Sequence, residues 1–185
     1  MKKVFIFLAE GFEETEVVAT IDIMLRGGLD VTSVSISDNL LVTGAHGIAV
    51  KADTLFENAD LSTGDMLVLP GGMPGASNLD SHEGLKSALM QYAANNKKIA
   101  AICAAPLVLG GLGLLEGKVA TCYPGYESTM QGAIYYNEHV LKDGNIITAQ
   151  GPGFVFEFGL RIVEVLQGRD KAEEVADGLL LLDED

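Results

Sequence analysis

The chain predicts an α/β fold built on a mostly parallel sheet. Short continuous apolar runs at residues 4–9, 66–69 and 99–102 have the length and composition of strands buried on both faces. Stretches with helical spacing separate them, which is the pattern of βαβ units. The right-handed crossover rule then places helices on both faces and makes a three-layer sandwich.

In chain order, residues 4–9 form the first, central strand. The loop Glu10-Gly11-Phe12-Glu13-Glu14 leads into a helix over 15–26, where Val17, Ile21, Met24 and Leu25 keep helical spacing and Gly27-Gly28 end it. Residues 31–36 form the second strand, and 41–43 with 48–50, around residues 44–47, a small hairpin excursion. Residues 66–69 are another buried strand, running into Pro70-Gly71-Gly72-Met73-Pro74-Gly75. One helix is expected over 81–95, then the strand that ends at Cys103. Pro106 suits the first turn of the helix that follows, where its missing N–H is not needed. Residues 119–121 form a short strand. Residues 140–141 and 146–148 flank the turn Lys142-Asp143-Gly144-Asn145, a hairpin signal. Gly151-Pro152-Gly153 opens a helix over 154–166, and a last helix covers 171–180. The tail Asp183-Glu184-Asp185 is expected to fray.

The 185 residues are 48% hydrophobic, enough for one domain over 1–185 with a real core. A formal net charge of −14 disfavours nucleic acid or an anionic membrane as partner. The two cysteines, Cys103 and Cys122, are too few for a disulfide scaffold and suit a reducing compartment. The apolar start at residues 4–9 runs into Glu10, Glu13, Glu14 and Glu16, so it reads as a strand and not a leader, and no run reaches membrane-spanning length. The expectation is a cytoplasmic protein needing no cofactor and no metal.

Ligands of parallel sheets bind outside the carboxyl ends of the strands. Three loops with unusual chemistry meet that condition: residues 11–16, 70–75 and 103–106. Cys103 stands where a buried strand turns into a helix, the geometry of a nucleophile elbow, and the helix N-terminus is expected to favour its thiolate. A buried structural cysteine is the bland alternative. Glu13 and Glu14 read as acids at a helix N-terminus, which the macrodipole favours. Glu16, one turn into an apolar stripe, is expected to be partly buried with a raised pKa and to bond the cysteine's sulfur. Gly71-Gly72 reads either as a loop needing positive φ or as an oxyanion hole, shared with the Ala104 N–H. Tyr123 is either a half-buried aromatic or a phenol reaching the cysteine. None of His46, His82 and His139 lies in a loop expected to meet Cys103; His46, in the hairpin excursion, is the one best placed to fold back.

Several of these segments together resemble the ThiJ/PfpI superfamily, on the branch of the parkinsonism-associated protein deglycase. They are Gly11-Phe12-Glu13-Glu14-Thr15-Glu16, Leu69-Pro70-Gly71-Gly72, Ala100-Ala101-Ile102-Cys103-Ala104-Ala105-Pro106, residues 148–153 and Phe156-Glu157-Phe158. The resemblance covers nearly the full length. It implies a flavodoxin-like sandwich of the class I glutamine amidotransferase type, usually a homodimer. It matches Cys103 to the reactive cysteine, Glu16 to the glutamate that bonds its sulfur, Gly72 and Ala104 to the oxyanion-hole amides, and Arg26 to a position near the dimer interface. Two departures stand out. A histidine often precedes the proline matched here by Pro124, where this chain has Tyr123, and a phenol with an ordinary pKa of about 10 is a poor base near neutrality. The peptidase branch has histidine directly after the nucleophile, where this chain has Ala104.

The resulting expectation is a cysteine-dependent protein acting on small reactive carbonyls, glyoxalase- or deglycase-like, through Cys103 and Glu16. The rivals are a redox sensor or chaperone acting through Cys103 oxidation, a PfpI-type peptidase, and a plain binding scaffold. Val18, Ala19 and Ile23, which lie off the main stripe of the first helix, predict a homodimer with Arg26 at its rim.

Overall fold

A computed structural model describes residues 1–181; the tail reading at 183–185 lies outside the described residues. The elements run β1 (Lys3–Leu8), α1 (Glu14–Arg26), β2 (Asp30–Ser35), β3 (Leu41–Thr43), β4 (Ala49–Lys51), β5 (Thr54–Leu55), β6 (Met66–Leu69), α2 (Gly75–Asp80), α3 (Glu83–Ala94), β7 (Lys98–Ile102), α4 (Pro106–Gly111), β8 (Val119–Ala120), β9 (Ile134–Tyr135), β10 (Val140–Asp143), β11 (Ile146–Ala149), α5 (Val155–Gln167) and α6 (Arg169–Gly178). Seven strands form one sheet in the order β10-β11-β7-β6-β1-β2-β5. Every pair in it is parallel except β10 with β11.

The apolar strands are continuous because both faces are covered. In β1, Phe5 and Phe7 face a core shared with Leu85 and Leu89 of α3 and Val108 and Leu109 of α4. Val4 and Ile6 face the other side, against Ile23 and Met24 of α1, Phe158 and Ile162 of α5 and Val175 of α6. This period-two split is what a strand between two helical layers requires. The flavodoxin-like three-layer sandwich is therefore the observed fold.

The chain passes from β1 to β2 on one side and then crosses to β6 and β7 on the other. The strand order thus reverses beside β1, and the carboxyl ends of β1, β6 and β7 open onto a common crevice. All three of the unusual loops leave from these ends.

Two sequence readings on α1 are corrected, and two other elements are placed more fully. The helix expected over 81–95 is α3, capped by His82, which accepts the Leu85 N–H on Nδ1 at 3.0 Å; the short α2 over Gly75–Asp80 is an additional helix before it. The short strand expected at 119–121 is β8, which stands outside the main sheet and pairs with β9. On α1, Leu25 is 53% exposed although it keeps the apolar spacing, whereas Ile23 is fully buried. Packing against α5 has rotated the buried face toward Ile23, which therefore belongs to the core and not to a dimer surface.

Candidate active site

Cys103 follows β7 directly and has φ +65°, left-handed backbone that a side chain disfavours. Its neighbours hold it there. The Cys103 N–H donates to the Ala149 carbonyl at 2.9 Å, and its own carbonyl accepts the Tyr123 N–H at 2.8 Å. The Thr121 N–H, bonded to Thr148 Oγ1 at 3.0 Å, fastens the same segment to β11. A strained conformation fixed from both sides is the geometry of an elbow.

Glu16 comes from the first turn of α1 and is fully buried. Its Oε2 accepts the Gly71 N–H at 2.7 Å. Its side chain is also within hydrogen-bonding range of Cys103. Oε1 is buried with no well-formed partner of its own. Glu13 holds the start of α1 against the loop after β6: its carboxylate accepts the Glu16 N–H at 2.6 Å, and its N–H donates to the Gly71 carbonyl at 3.0 Å. Gly71 has room for no side chain, since a Cβ there would lie 2.5 Å from Cys103 Cβ, 2.8 Å from Glu16 Oε2 and 3.0 Å from the sulfur. Gly72 takes φ +87°, which turns its N–H toward the sulfur alongside that of Ala104.

Burial pushes the Glu16 carboxyl up to about 7, against the Gly71 N–H and the cysteine, with the charge of Glu13 adding to the rise. Burial, then the charge of an ionised Glu16, pushes the Cys103 thiol up to about 12, against the N–H groups of Gly72 and Ala104. The expected lowering by the helix N-terminus is thus outweighed, by burial first and by the charge of Glu16 second. Cys122 is pushed up to about 12 by burial and the charge of Glu127. The two thiols differ in access and donors: Cys103 keeps 8% of its surface and has the two amides, while Cys122 is sealed.

Glu14 lies in the first turn of α1, as expected of an acid at a helix start, and has a further role there. Glu14 is 6% exposed. Its Oε1 accepts the N–H groups of His46 at 2.6 Å and Ile48 at 3.3 Å, and its Oε2 pairs with His46 Nδ1 at 2.8 Å. Glu14 therefore pins the β3–β4 hairpin to the start of α1. Ligand atoms of Glu13, Glu14 and His46 lie within 4.8 Å of one another, but these groups already satisfy each other or nearby amides. Burial alone would raise the Glu14 carboxyl; the bonds from the His46 ring and amide and from Ile48 hold it below its ordinary value. The same contact raises His46. A lowered carboxyl stabilises above its unfolded titration and is lost as pH falls through the folded one; a raised imidazole stabilises below its unfolded titration and is lost as pH rises through the folded one. The hairpin should therefore be held most firmly between the ordinary carboxylate and imidazole ranges. Amide hydrogen exchange at His46 and Ile48 checks this: protection should fall on either side of that window and be lost in Glu14→Ala. Protection that is flat with pH and survives Glu14→Ala would contradict it.

The other histidines are engaged away from the cysteine. His82 caps α3 and packs on Phe56, and His139 stacks on Phe154 at 3.8 Å between centroids. Tyr123 is 45% exposed, with its ring over Gly151. A groove between α5 and α6 is lined by neither Cys103 nor Glu16.

Fold and site together define a doubly wound α/β protein with a cysteine on a strand elbow at its topological switch. The DJ-1/PfpI family pattern matches residues 2–165, and the chain belongs to that family. It is 42% identical over 182 residues to Protein DJ-1 homolog B of Arabidopsis thaliana, covering 97% of this chain and 42% of that one. The chain spans under half the length of this relative and of Protein DJ-1 homolog A. It is 34% identical over 173 residues to a Caenorhabditis elegans protein named glutathione-independent glyoxalase DJR-1.2, covering 93% of this chain and 92% of that one. Among solved structures, oxidized Toxoplasma gondii DJ-1 superposes with a TM-score of 0.94 at 36% identity, covering 97% of this chain and 98% of that one. No helix among the described residues is long and apolar enough to cross a membrane.

Proposed function

We propose that the chain converts small α-oxoaldehydes to 2-hydroxy acids through Cys103. The observation that carries this is the sulfur at an elbow between a buried Glu16 and the N–H groups of Gly72 and Ala104. The reactive form has the proton on Glu16 and the charge on sulfur. In that form the carboxyl donates to the sulfur instead of repelling it, and the two amides donate as well. The thiolate adds to the aldehyde carbon, forming a C–S bond, and the carbonyl electron pair moves to oxygen. The Gly72 and Ala104 amides are suited to receive that charge, and a proton from Glu16 completes the hemithioacetal. Glu16, now a carboxylate, removes the C1 proton, and protonation at C2 gives the thioester of the 2-hydroxy acid. Water cleaves the C–S bond, releasing acid and thiol. Aldehyde carbon is oxidised as ketone carbon is reduced, so no external oxidant or cofactor is needed. The glyoxalase name of the nematode relative supports the substrate class.

Incubation with methylglyoxal and no glutathione is expected to yield lactate, and Cys103→Ala none. The same protein should not cleave casein or peptide amides. Expelling an amine needs a positioned acid, neither motif position supplies an imidazole, and the three histidines are held elsewhere. Absence of lactate refutes the reading; amide hydrolysis abolished by Cys103→Ala would restore the peptidase.

The unpartnered Glu16 Oε1 supports a second reading as a redox sensor. Peroxide would oxidise Cys103 to sulfinate, with water as by-product, and a protonated Glu16 would bond a sulfinate oxygen. Lactate production that is absent, alongside selective gain of two oxygens at Cys103 under mild peroxide, would favour it.

We further infer a homodimer in a reducing, cytoplasmic setting. Val18 and Leu25 of α1 are 52% and 53% exposed, and Leu41 and Ile48 of the hairpin 60% each, a large apolar share for a free surface. Arg26, paired with Asp22, stands at the end of α1. Light scattering at tens of micromolar, about the range of a weak dimer, should give the dimer mass; monomer alone contradicts this.

A further inference from the structure

We propose that the cleft walled by Tyr123, Pro124, Pro152 and Phe154 is a specificity pocket that favours α-oxoaldehydes carrying an aromatic group. The inference rests on the carbonyl reading of Cys103 and names the class of substrate for it.

The cleft belongs to the cysteine's own surroundings. Both peptide groups of Cys103 are bonded to its walls or to the residue that precedes them. The Cys103 carbonyl accepts the Tyr123 N–H, and the Cys103 N–H donates to Ala149, next to Gln150. The cleft's walls thus adjoin the elbow that carries the sulfur, and on the proposal a substituent on a carbonyl carbon bound there extends into the cleft.

Its shape and chemistry select what enters. The cleft holds about 270 Å³, near the lower end of small-molecule sites, which suits one ring and not an extended ligand. Its lining has no charged side chain. The polar side chain in it, Gln150, is 8% exposed and its Nε2 donates to Asn137 at 2.6 Å. Two aromatic rings contribute to the lining and both are held. Phe154 lies flat on His139, with 17° between the rings, and its N–H donates to the Gly151 carbonyl at 2.9 Å. Tyr123 is set over Gly151, where a Cβ would come 3.1 Å from its Cδ2. Its half-exposed ring is surface that a flat apolar group would cover. A lone methyl, as in methylglyoxal, would leave most of that surface wet.

Tyr123 is on this account a positioning residue whose ring, not its hydroxyl, is used. Affinity labelling tests it without requiring turnover. The full chain is treated with 2-bromoacetophenone or bromoacetone, in each of which the Cys103 sulfur displaces bromide. Labelling rates at Cys103 are read by mass spectrometry, and the ratio of the two is divided by the same ratio for free cysteine. The normalised preference for the aryl reagent should be roughly tenfold or more, the scale of one apolar group placed in a pocket. Tyr123→Phe should keep it, and Tyr123→Ala and Phe154→Ala should each bring it toward that of free cysteine. A wild-type preference equal to that of free cysteine, or one that survives both alanine variants, overturns the proposal. Turnover separates the two readings. If labelling is selective but neither phenylglyoxal nor methylglyoxal is consumed, the aromatic pocket stands and the carbonyl enzyme falls. If methylglyoxal is consumed but labelling is unselective, the pocket falls and the enzyme stands.

Discussion

Replacing Gly71 by alanine is expected to lower Cys103-dependent turnover about a hundredfold, the scale of a reacting atom misplaced by an ångström. The added methyl would stand 2.5 Å from Cys103 Cβ and 3.0 Å from the sulfur, so the elbow must move. It would also stand 2.8 Å from Glu16 Oε2, which now accepts the Gly71 N–H, and would spread the one contact that fixes the carboxyl. Every atom it meets belongs to the buried site, so relaxation cannot go toward solvent. Overpacking of this kind costs about 1–3 kcal/mol. Urea unfolding and lactate formation, measured on the same preparation, separate the two effects. A folded Gly71→Ala protein with unchanged Cys103 reactivity would show that the sulfur is not positioned through this contact.

The parts of this site differ in how far the sequence reveals them. The central strands are legible because burial on both faces leaves no polar residue to interrupt them, as in Phe5-Ile6-Phe7-Leu8. The elbow is legible because Pro106 marks the first turn of a helix directly after an apolar run. Glu16 is legible as an acid in an apolar stripe. Gly71 shows only as half of a glycine pair, since its sulfur contact joins loops 32 positions apart in the chain. Glu14 is not legible at all. An acid at a helix start satisfies the macrodipole whether exposed or buried, and what buries Glu14 is His46, 32 residues further on. The buried face of α1 was ambiguous for a similar reason: Leu25 and Ile23 both fit a helical stripe, and contact with α5 decides between them. The Cys103 titration is set first by burial and then by the charge of Glu16 from a different element, and neither shows at the helix end alone.

The second large effect concerns what Glu16 does to the sulfur. An ionised Glu16 opposes the thiolate, and a protonated one donates to it, so the two roles predict opposite results from neutral substitutes. Glu16→Gln keeps a donor and removes the charge. Glu16→Met has similar length and removes both. A hydrogen bond to a charged group is worth about 1.5–3 kcal/mol, or roughly 10- to 100-fold in the thiolate equilibrium. The decisive measurement is the rate of Cys103 alkylation by iodoacetamide from acid to alkaline pH in wild type, Glu16→Gln and Glu16→Met. The wild-type profile should break near pH 7, where Glu16 titrates. At that pH Glu16→Gln should react at least as fast as wild type, and Glu16→Met about 10- to 100-fold slower than Glu16→Gln. If Glu16→Gln and Glu16→Met instead react equally fast, both faster than wild type, then Glu16 acts on Cys103 only by repulsion, and the proposed donor role is wrong.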